Sequence, residues 1–234
     1  MIVQVCNNNY TIEDKVTNLL SILVNIKSVQ NSSLAFRSGC KSGVCGSCAV
    51  IINNKEQLAC KTSIKNGDIV SPLKNMPIIK DLVVDNSSQE KFLKQANAQL
   101  QILNKNTVTK QDVIKIDKES NCILCSSCFS SCPVYEVNNN FLGPFALSRV
   151  FRYIEDVKEL DKKSIINSVQ LNGVFDCTLC GNCNIVCPAH IDIKSDIINL
   201  QNKSVQYGHS NPNLTNSFNS SLDFSSGGFN PNGF

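Results

Sequence analysis

Thirteen cysteines against two histidines are the residues of this 234-residue chain whose type and spacing could do chemistry. They fall in two regions with a Cys-free stretch between them. In the second region, Cys122-x2-Cys125-x2-Cys128-x3-Cys132-Pro133 returns as Cys177-x2-Cys180-x2-Cys183-x3-Cys187-Pro188. Three closely spaced thiolates on a curled loop supply three corners of an iron–sulfur cubane, and the fourth must come from elsewhere. In paired runs of this kind the Cys before Pro ligates the cluster of the other run. That rule assigns Cys122, Cys125, Cys128 and Cys187 to one [4Fe–4S] cluster, and Cys177, Cys180, Cys183 and Cys132 to a second. The first region reads Cys40-x4-Cys45-x2-Cys48, with Cys60 further on. Its first three positions match the plant-type spacing for a [2Fe–2S] cluster. Gly39, Gly43 and Gly46 are interleaved, which suits a backbone that wraps closely around inorganic sulfide.

Competing uses of the thiols fit less well. Zinc sites take pairs of Cys-x2–4-Cys with or without His, and do not call for three Cys followed by Cys-Pro. Disulfides need an oxidising compartment, and no basic segment followed by an apolar run stands at the N-terminus to direct export. The three clusters use twelve of the thirteen cysteines. The remaining one, Cys6, is expected on the first strand as a small buried hydrophobe.

The bulk composition excludes other classes. A net charge of +3 is too small to argue for nucleic acid or an anionic membrane surface. The most apolar helical stretch, Leu19 to Ile26, is far short of the ~20 residues that span a bilayer. No Ser-His-Asp set, paired catalytic carboxylates or phosphate-binding glycine loop is present, so no bond-making step is expected on this chain alone.

The elements that must position the cysteines follow from the apolar pattern. Ile2 to Cys6, Ala49 to Ile52 before a turn at Asn53-Asn54, and Gly67 to Val70 read as strands. Val16, Leu19, Leu20, Leu23 and Val24 recur at helical spacing. Strands around one helix predict a β-grasp-like domain over residues 1–84. From about residue 86 the pattern is helical. Phe92, Ala96, Leu100 and Leu103 mark one face. A second helix starts near Pro144, with Leu147, Val150, Phe151 and Ile154 inward. Ile165, Ile166 and Val169 mark a third, and Ile191, Ile197, Ile198 and Leu200 a fourth. This gives a helical domain over 85–203 and a polar tail over 204–234, rich in Asn, Ser and Gly and expected to be disordered or partner-bound.

In the segments FRSGCKSGVCGSCAVIINNKEQLAC, SPLKNMPIIKDLVVD, CILCSSCFSSCPVY, FLGPFALSRVFRYIED and the final CxxCxxCxxxCP, the chain resembles the iron–sulfur subunit of succinate dehydrogenase and fumarate reductase. The segments occur in that family's order from about residue 1 to 200. The resemblance implies an α+β architecture, with an N-terminal β-grasp plant-type [2Fe–2S] ferredoxin domain and a C-terminal all-α bacterial-ferredoxin-type domain with two cubane-type clusters. It implies a flavoprotein partner carrying FAD, membrane-anchor subunits, and a quinone at the far end, with Pro133 as a quinone contact. The expected place is peripheral, on the cytoplasmic face of the inner or plasma membrane, or the matrix face in a mitochondrion.

Three departures from the family pattern stand out. Cys180 occupies a position where the family commonly has a non-ligand and a [3Fe–4S] centre. Val137 and Thr178 stand where a quinone-contacting Trp and a His are usual. The polar tail has no counterpart in the family pattern. The competing readings are a related flavin oxidoreductase subunit (of the thiol-linked fumarate reductase or anaerobic glycerol-phosphate dehydrogenase type) and a free-standing ferredoxin. Arg149 and Arg152 read as a partner-facing or solvated helix face, His190 as a loop residue or cluster tuner, and His209 as solvated. Replacing Cys180 with Ser is expected to convert the second [4Fe–4S] centre to a three-iron form, read by EPR of the oxidised protein. An unchanged centre in that variant would make Cys180 a bystander.

Overall fold

The structure is a computed structural model that describes residues 1–13 and 18–212. β1 (Ile2–Val5) and β2 (Asn8–Thr11) form a hairpin through Cys6 and Asn7, both left-handed, with φ of 47° and 68°. α1 (Leu19–Val29) starts at Asn18, whose side chain accepts from the Ser21 N–H at 3.3 Å, satisfying one of the helix's orphan donors. β3 (Ala49–Ile52) and β4 (Lys55–Leu58) join through Asn53-Asn54, with φ of 48° and 65°. Two positive φ values in a two-residue loop match the right-handed twist of the strands, and Asn tolerates them. β5 (Ile69–Ser71) enters the middle of a sheet of order β2-β1-β5-β3-β4, parallel to β1 and antiparallel to β3. One helix laid on this mixed sheet is a β-grasp fold.

The core of this half comes from Val3, Val5 and Val70 under Leu19, Ile22, Leu23 and Ile26, all buried. The last four sit at i, i+3, i+4 and i+7, the stripe an amphipathic helix presents. Val24, expected inside, is 49% exposed because Ile22 fills the stripe instead. Val16 lies outside the described residues. Cys6 falls in the turn after β1 and not on the strand. It is only partly buried, and burial, then the nearby Asp81 charge, pushes its thiol up to about 11.

A short hairpin, β6 (Ile78–Lys80) with β7 (Val83–Val84), leads into the helices α2 (Ser87–Gln95), α3 (Lys110–Ser120), α4 (Ser127–Ser130), α5 (Pro144–Glu155), α6 (Lys162–Ser168), α7 (Asn182–Ile185) and α8 (Ile193–Gln206). The helix expected through Leu103 stops at Gln95. Asn97 turns left-handed at φ 47°, and Leu103 ends 64% exposed in an isolated bridge with Glu159. α3 buries none of its side chains, its Val113 and Ile114 being 49% and 56% exposed. A capping box between Thr109 and Asp112 closes its N-terminus, and Arg152 of α5 bonds Ser120 near its C-terminus.

α5 is the axis of this half. Pro144 occupies its first turn, where the missing N–H costs nothing, and Leu147, Val150 and Ile154 are almost fully buried. It packs against α8, α3 and α6. Phe92, Phe129, Tyr135, Phe141 and Phe145 form a continuous aromatic cluster between α2, α4 and α5, with Phe129 and Tyr135 stacked at 4.0 Å.

The two halves are fastened across α4. Asn75 Nδ2 donates to the carbonyls of Phe129, Ser130 and Cys132 at 3.0, 3.1 and 3.2 Å, supplying a side-chain donor at the C-terminal end of α4. Ser130 Oγ accepts from the Lys74 N–H at 2.9 Å and donates to the buried carboxylate of Glu56 at 2.7 Å. Ser130→Ala would leave a buried carboxylate oxygen without its donor, a loss of about 1–3 kcal/mol. The expected outcome is a lower unfolding midpoint with all clusters present, measured by thermal unfolding of the holoprotein. An unchanged midpoint would mean that water replaces the hydroxyl.

Candidate iron–sulfur centres

The first site is a loop, residues 39–48, followed by the β3–β4 hairpin. Turned backbone at Lys41, Gly43 and Gly46 (φ 60°, 82° and 71°) points successive N–H groups inward. Cys40 Sγ accepts from the amides of Ser42, Val44 and Cys45 at 3.4, 3.2 and 3.3 Å, and Cys45 Sγ from the Cys40 amide at 3.3 Å. Donors aimed at sulfur favour the thiolate. Hydrogen bonds from the Ser42 side chain, then from the amides of Ser42, Val44 and Cys45, bring Cys40 down to about 5. Bonding from the Ser47 hydroxyl, 3.1 Å from Cys45 Sγ, leads the same effect at Cys45. The other two cysteines come from the ends of the hairpin. Cys48 precedes β3 and Cys60 follows β4, and the Ala59 amide bonds the Cys48 carbonyl at 3.0 Å. Both are buried, and burial pushes Cys48 up to about 11. Two thiols therefore face solvent and two face the core.

The other eight cysteines stand around two separate cavities. One is lined by Cys122, Cys125, Cys128 and Cys187, with Ile123, Leu124, Phe145, Ile191 and Ile193 as its apolar wall. The second is lined by Cys132, Cys177, Cys180 and Cys183, with Val134, Pro144, Leu179 and Lys194. Each run thus contributes three thiols to its own cavity and its Cys-Pro thiol to the other.

Backbone makes the exchange possible. Leu124 and Ser126 are left-handed at φ 50° and 68°, and the equivalent Leu179 and Gly181 at 55° and 84°. Each pair curls the loop, and a one-turn helix follows: α4 in the first run, α7 in the second. α4 and α7 pack on each other, so the Cys-Pro at the end of each helix is delivered toward the opposite loop.

Burial dominates the electrostatics of these cavities. It raises Cys122, Cys125 and Cys177, lifts Cys128 well above the ordinary thiol range, and takes Cys132 to about 11 and Cys183 to about 12. Neighbouring thiols add to the effect at Cys128 and Cys183, while Arg149 opposes it at Cys122 and Lys194 at Cys177. Thiols in such surroundings stay protonated unless a metal replaces the proton and supplies the positive charge.

Among the described residues no three His, Cys, Asp or Glu donors are arranged to hold a single metal ion. The thiols ring a cavity instead, as one thiolate per iron around a multi-iron cluster requires. The donor set fits iron–sulfur clusters.

Other residues singled out in the sequence are placed as follows. Pro133 opens a 3-10 turn, Pro133–Glu136, and lines an open polar cleft with Lys55, Lys74, Asn75 and Asn182. Val137 is 89% exposed, and Thr178 and Cys180, both exposed, line the second cavity. His190 is exposed in a left-handed turn. His209, expected to be solvated, pairs with Asn167 at 2.9 Å. Arg152 is not a free solvated charge: it bonds Ser120 and Asp156 and lies over the Tyr153 ring. Sequence reasoning missed Asn75, Ser130 and Lys194. Their partners are more than fifty residues away or on another loop, so no local spacing marked them.

Comparison with known proteins agrees with this architecture. Residues 4–91 match the family model of a 2Fe-2S iron-sulfur cluster binding domain, and residues 118–191 that of a 4Fe-4S dicluster domain. The fumarate reductase iron-sulfur subunit of Escherichia coli O6:H1 is 35% identical over 189 residues, 76% of this chain and 78% of that protein. The mitochondrial succinate dehydrogenase [ubiquinone] iron-sulfur subunit 1 of Oryza sativa is 38% identical over 182 residues, covering 73% and 65%. A chain of the Mycobacterium smegmatis Sdh1 complex shares the fold, with a TM-score of 0.78 at 24% identity over 89% of this chain and 97% of that one.

Fold and site together define a two-domain iron–sulfur protein, a 2Fe-2S ferredoxin domain followed by a 4Fe-4S dicluster domain. The chain belongs to the family of iron–sulfur subunits of fumarate reductase and succinate dehydrogenase.

The difference between the sites is testable by labelling. In iron-free protein, Cys40 is expected to react with iodoacetamide already at pH 6–7, where its thiolate dominates, and the buried Cys128 and Cys183 are expected to lag. Mass spectrometry of the labelled peptides measures this order. Equal labelling of all three would contradict the described loop geometry.

Proposed function

We propose that this chain is the electron-transfer subunit of a succinate:quinone oxidoreductase or fumarate reductase, passing electrons between FAD on a flavoprotein subunit and a quinone at a membrane anchor. The observation that carries the reading is the sorting of the paired runs into two cavities of four thiols each, with a third four-Cys site on the β-grasp domain. When bound, the clusters supply one-electron carriers, so a two-electron flavin and a two-electron quinone can be linked across protein.

The chain's own residues divide the work. Cys40, Cys45, Cys48 and Cys60 hold the [2Fe–2S] cluster, and the Ser42, Val44 and Cys45 amides offset the negative charge of Cys40. Val44, 67% exposed beside Cys45 on the same loop, presents the apolar rim against which the flavoprotein subunit docks. Cys122, Cys125, Cys128 and Cys187 hold the first [4Fe–4S] cluster, with Phe145, Ile191 and Ile193 keeping water out. Cys132, Cys177, Cys180 and Cys183 hold the second, a [4Fe–4S] centre because Cys180 lines its cavity.

The anchor and quinone are met on the side of Pro133, Val137 and Thr178. Val137 offers no hydrogen bond and Thr178 a hydroxyl in place of the usual imidazole, so in this reading the quinone is held mainly by the anchor. Residues 1–84 are assigned to the ferredoxin domain and 85–203 to the dicluster domain, with α8 running past that boundary to Gln206; the tail beyond residue 212, read as disordered or partner-bound, lies outside the described residues. No helix among the described residues is long and apolar enough to cross a membrane. In this reading attachment runs through the anchor, on the cytoplasmic or matrix face.

The test is EPR of the anaerobically purified native complex before and after succinate. The expected result is a reduced [2Fe–2S] signal that grows on adding succinate and is reversed by fumarate. If succinate leaves every signal unchanged while a thiol pair or glycerol phosphate reduces them, the chain serves one of the related flavin oxidoreductases instead.

A further inference from the structure

The Cys40–Cys48 loop and the first cubane loop meet at Gly46. Gly46 lies between Cys45 and Cys48, at φ 71°. A Cβ built there would stand 2.8 Å from Cys125 Cβ, 3.0 Å from Cys125 Cα and 3.0 Å from the Ile123 carbonyl oxygen. Those atoms belong to the first cubane loop, in the other domain. The neighbouring glycines of the same loop are different. A Cβ on Gly39 would meet Cys45 Sγ and Ser47 Oγ of its own loop, and one on Gly43 would meet the flexible Lys61 side chain.

The cubane loop is backed from behind. Gln89 on α2, itself buried, donates from Nε2 to the Leu124 carbonyl at 3.4 Å, and Leu124 is left-handed. This part-buried hydrogen bond ties the loop to α2 and helps to hold its place against Gly46.

We propose that Gly46 is the positioning residue that sets the gap between the [2Fe–2S] and the first [4Fe–4S] centres. The absence of a side chain there lets a ligand-bearing loop of one domain rest directly on a ligand residue of the other. The step it serves moves one electron from the reduced centre to the oxidised one, with no bond formed and no proton transferred. Electron-transfer rates and magnetic coupling between two paramagnetic centres both fall steeply with separation, so a methyl group inserted at this contact acts on both. The inference rests on the cluster assignments proposed above.

The experiment compares wild-type complex with Gly46→Ala and Gly43→Ala, each fully reduced with dithionite. The readout is the spin relaxation of the [2Fe–2S] EPR signal, quickened by the neighbouring reduced [4Fe–4S] centre. Gly43→Ala places the same left-handed backbone cost on the same loop away from the domain contact. The expected result is loss of the relaxation enhancement in Gly46→Ala with both signals present, and its retention in Gly43→Ala.

Unchanged enhancement in Gly46→Ala overturns the inference. So does loss of the [2Fe–2S] signal alone, which makes Gly46 a requirement of its own loop. If Gly46→Ala assembles no cluster, Gln89→Leu decides, because it frees the cubane loop without touching the [2Fe–2S] loop. Reduced enhancement then supports the inference, and wild-type enhancement overturns it. Failure of the assignments themselves looks different: wild-type protein would then lack the pair of signals altogether.

Discussion

The exchange of one thiol between two loops is the constraint on which the helical half depends. Cys187 must reach the cavity of Cys122, Cys125 and Cys128, and Cys132 that of Cys177, Cys180 and Cys183. Neither run brings four thiols to its own cavity. The chain between them, from Pro133 to Asp176, therefore has to leave and return so that α4 and α7 lie against each other. α5 and α8 provide that geometry. Pro144 starts α5 directly beside the second cavity, which it lines, and Ile193 at the start of α8 lines the first. The hydrophobic core and the ligand sets are consequently one object, since the walls of the cavities are core side chains.

The three sites sit in graded surroundings. The first has two exposed thiols whose charge is offset by amide donors from a tightly turned loop. The second is walled by apolar side chains, and the third lies between core and surface, with Cys180 exposed and Lys194 at its edge. Burial, hydrogen bonds to sulfur and nearby charge are the levers by which a protein sets cluster potential, and each site uses a different mixture. The order of the sites along the fold, from an open loop through a buried cavity to a second open edge, suits a chain that receives electrons on one face and releases them on another.

Much of this was legible in the sequence because cysteine spacing is a local signal for a local structure. The β3–β4 turn at Asn53-Asn54 and the start of α5 at Pro144 were legible for the same reason, since Asn tolerates the turn and Pro the first helical position. The misreadings came from long-range packing. Apolar residues at helical spacing suggested one helix through Leu103, yet a left-handed Asn97 ends it early. α3 offers only Val113 and Ile116 at helical spacing, too short a stripe to mark it, and buries none of its side chains. Cys6 was placed on a strand that ends one residue sooner, at the hairpin turn. The fastening of the domains by Asn75 and Ser130, and the contact at Gly46, join residues far apart in sequence. A glycine that exists to admit a neighbour looks, in sequence, like any other glycine of a cysteine loop.

The most direct test of the central claim is Mössbauer spectroscopy of anaerobically purified, iron-57-enriched protein, with iron and acid-labile sulfide counted per chain. Three sites of four cysteines each predict about ten irons, distributed over one two-iron and two four-iron centres. A spectrum with a genuine three-iron component in undamaged protein, or a chain lacking the two-iron component, would contradict that account.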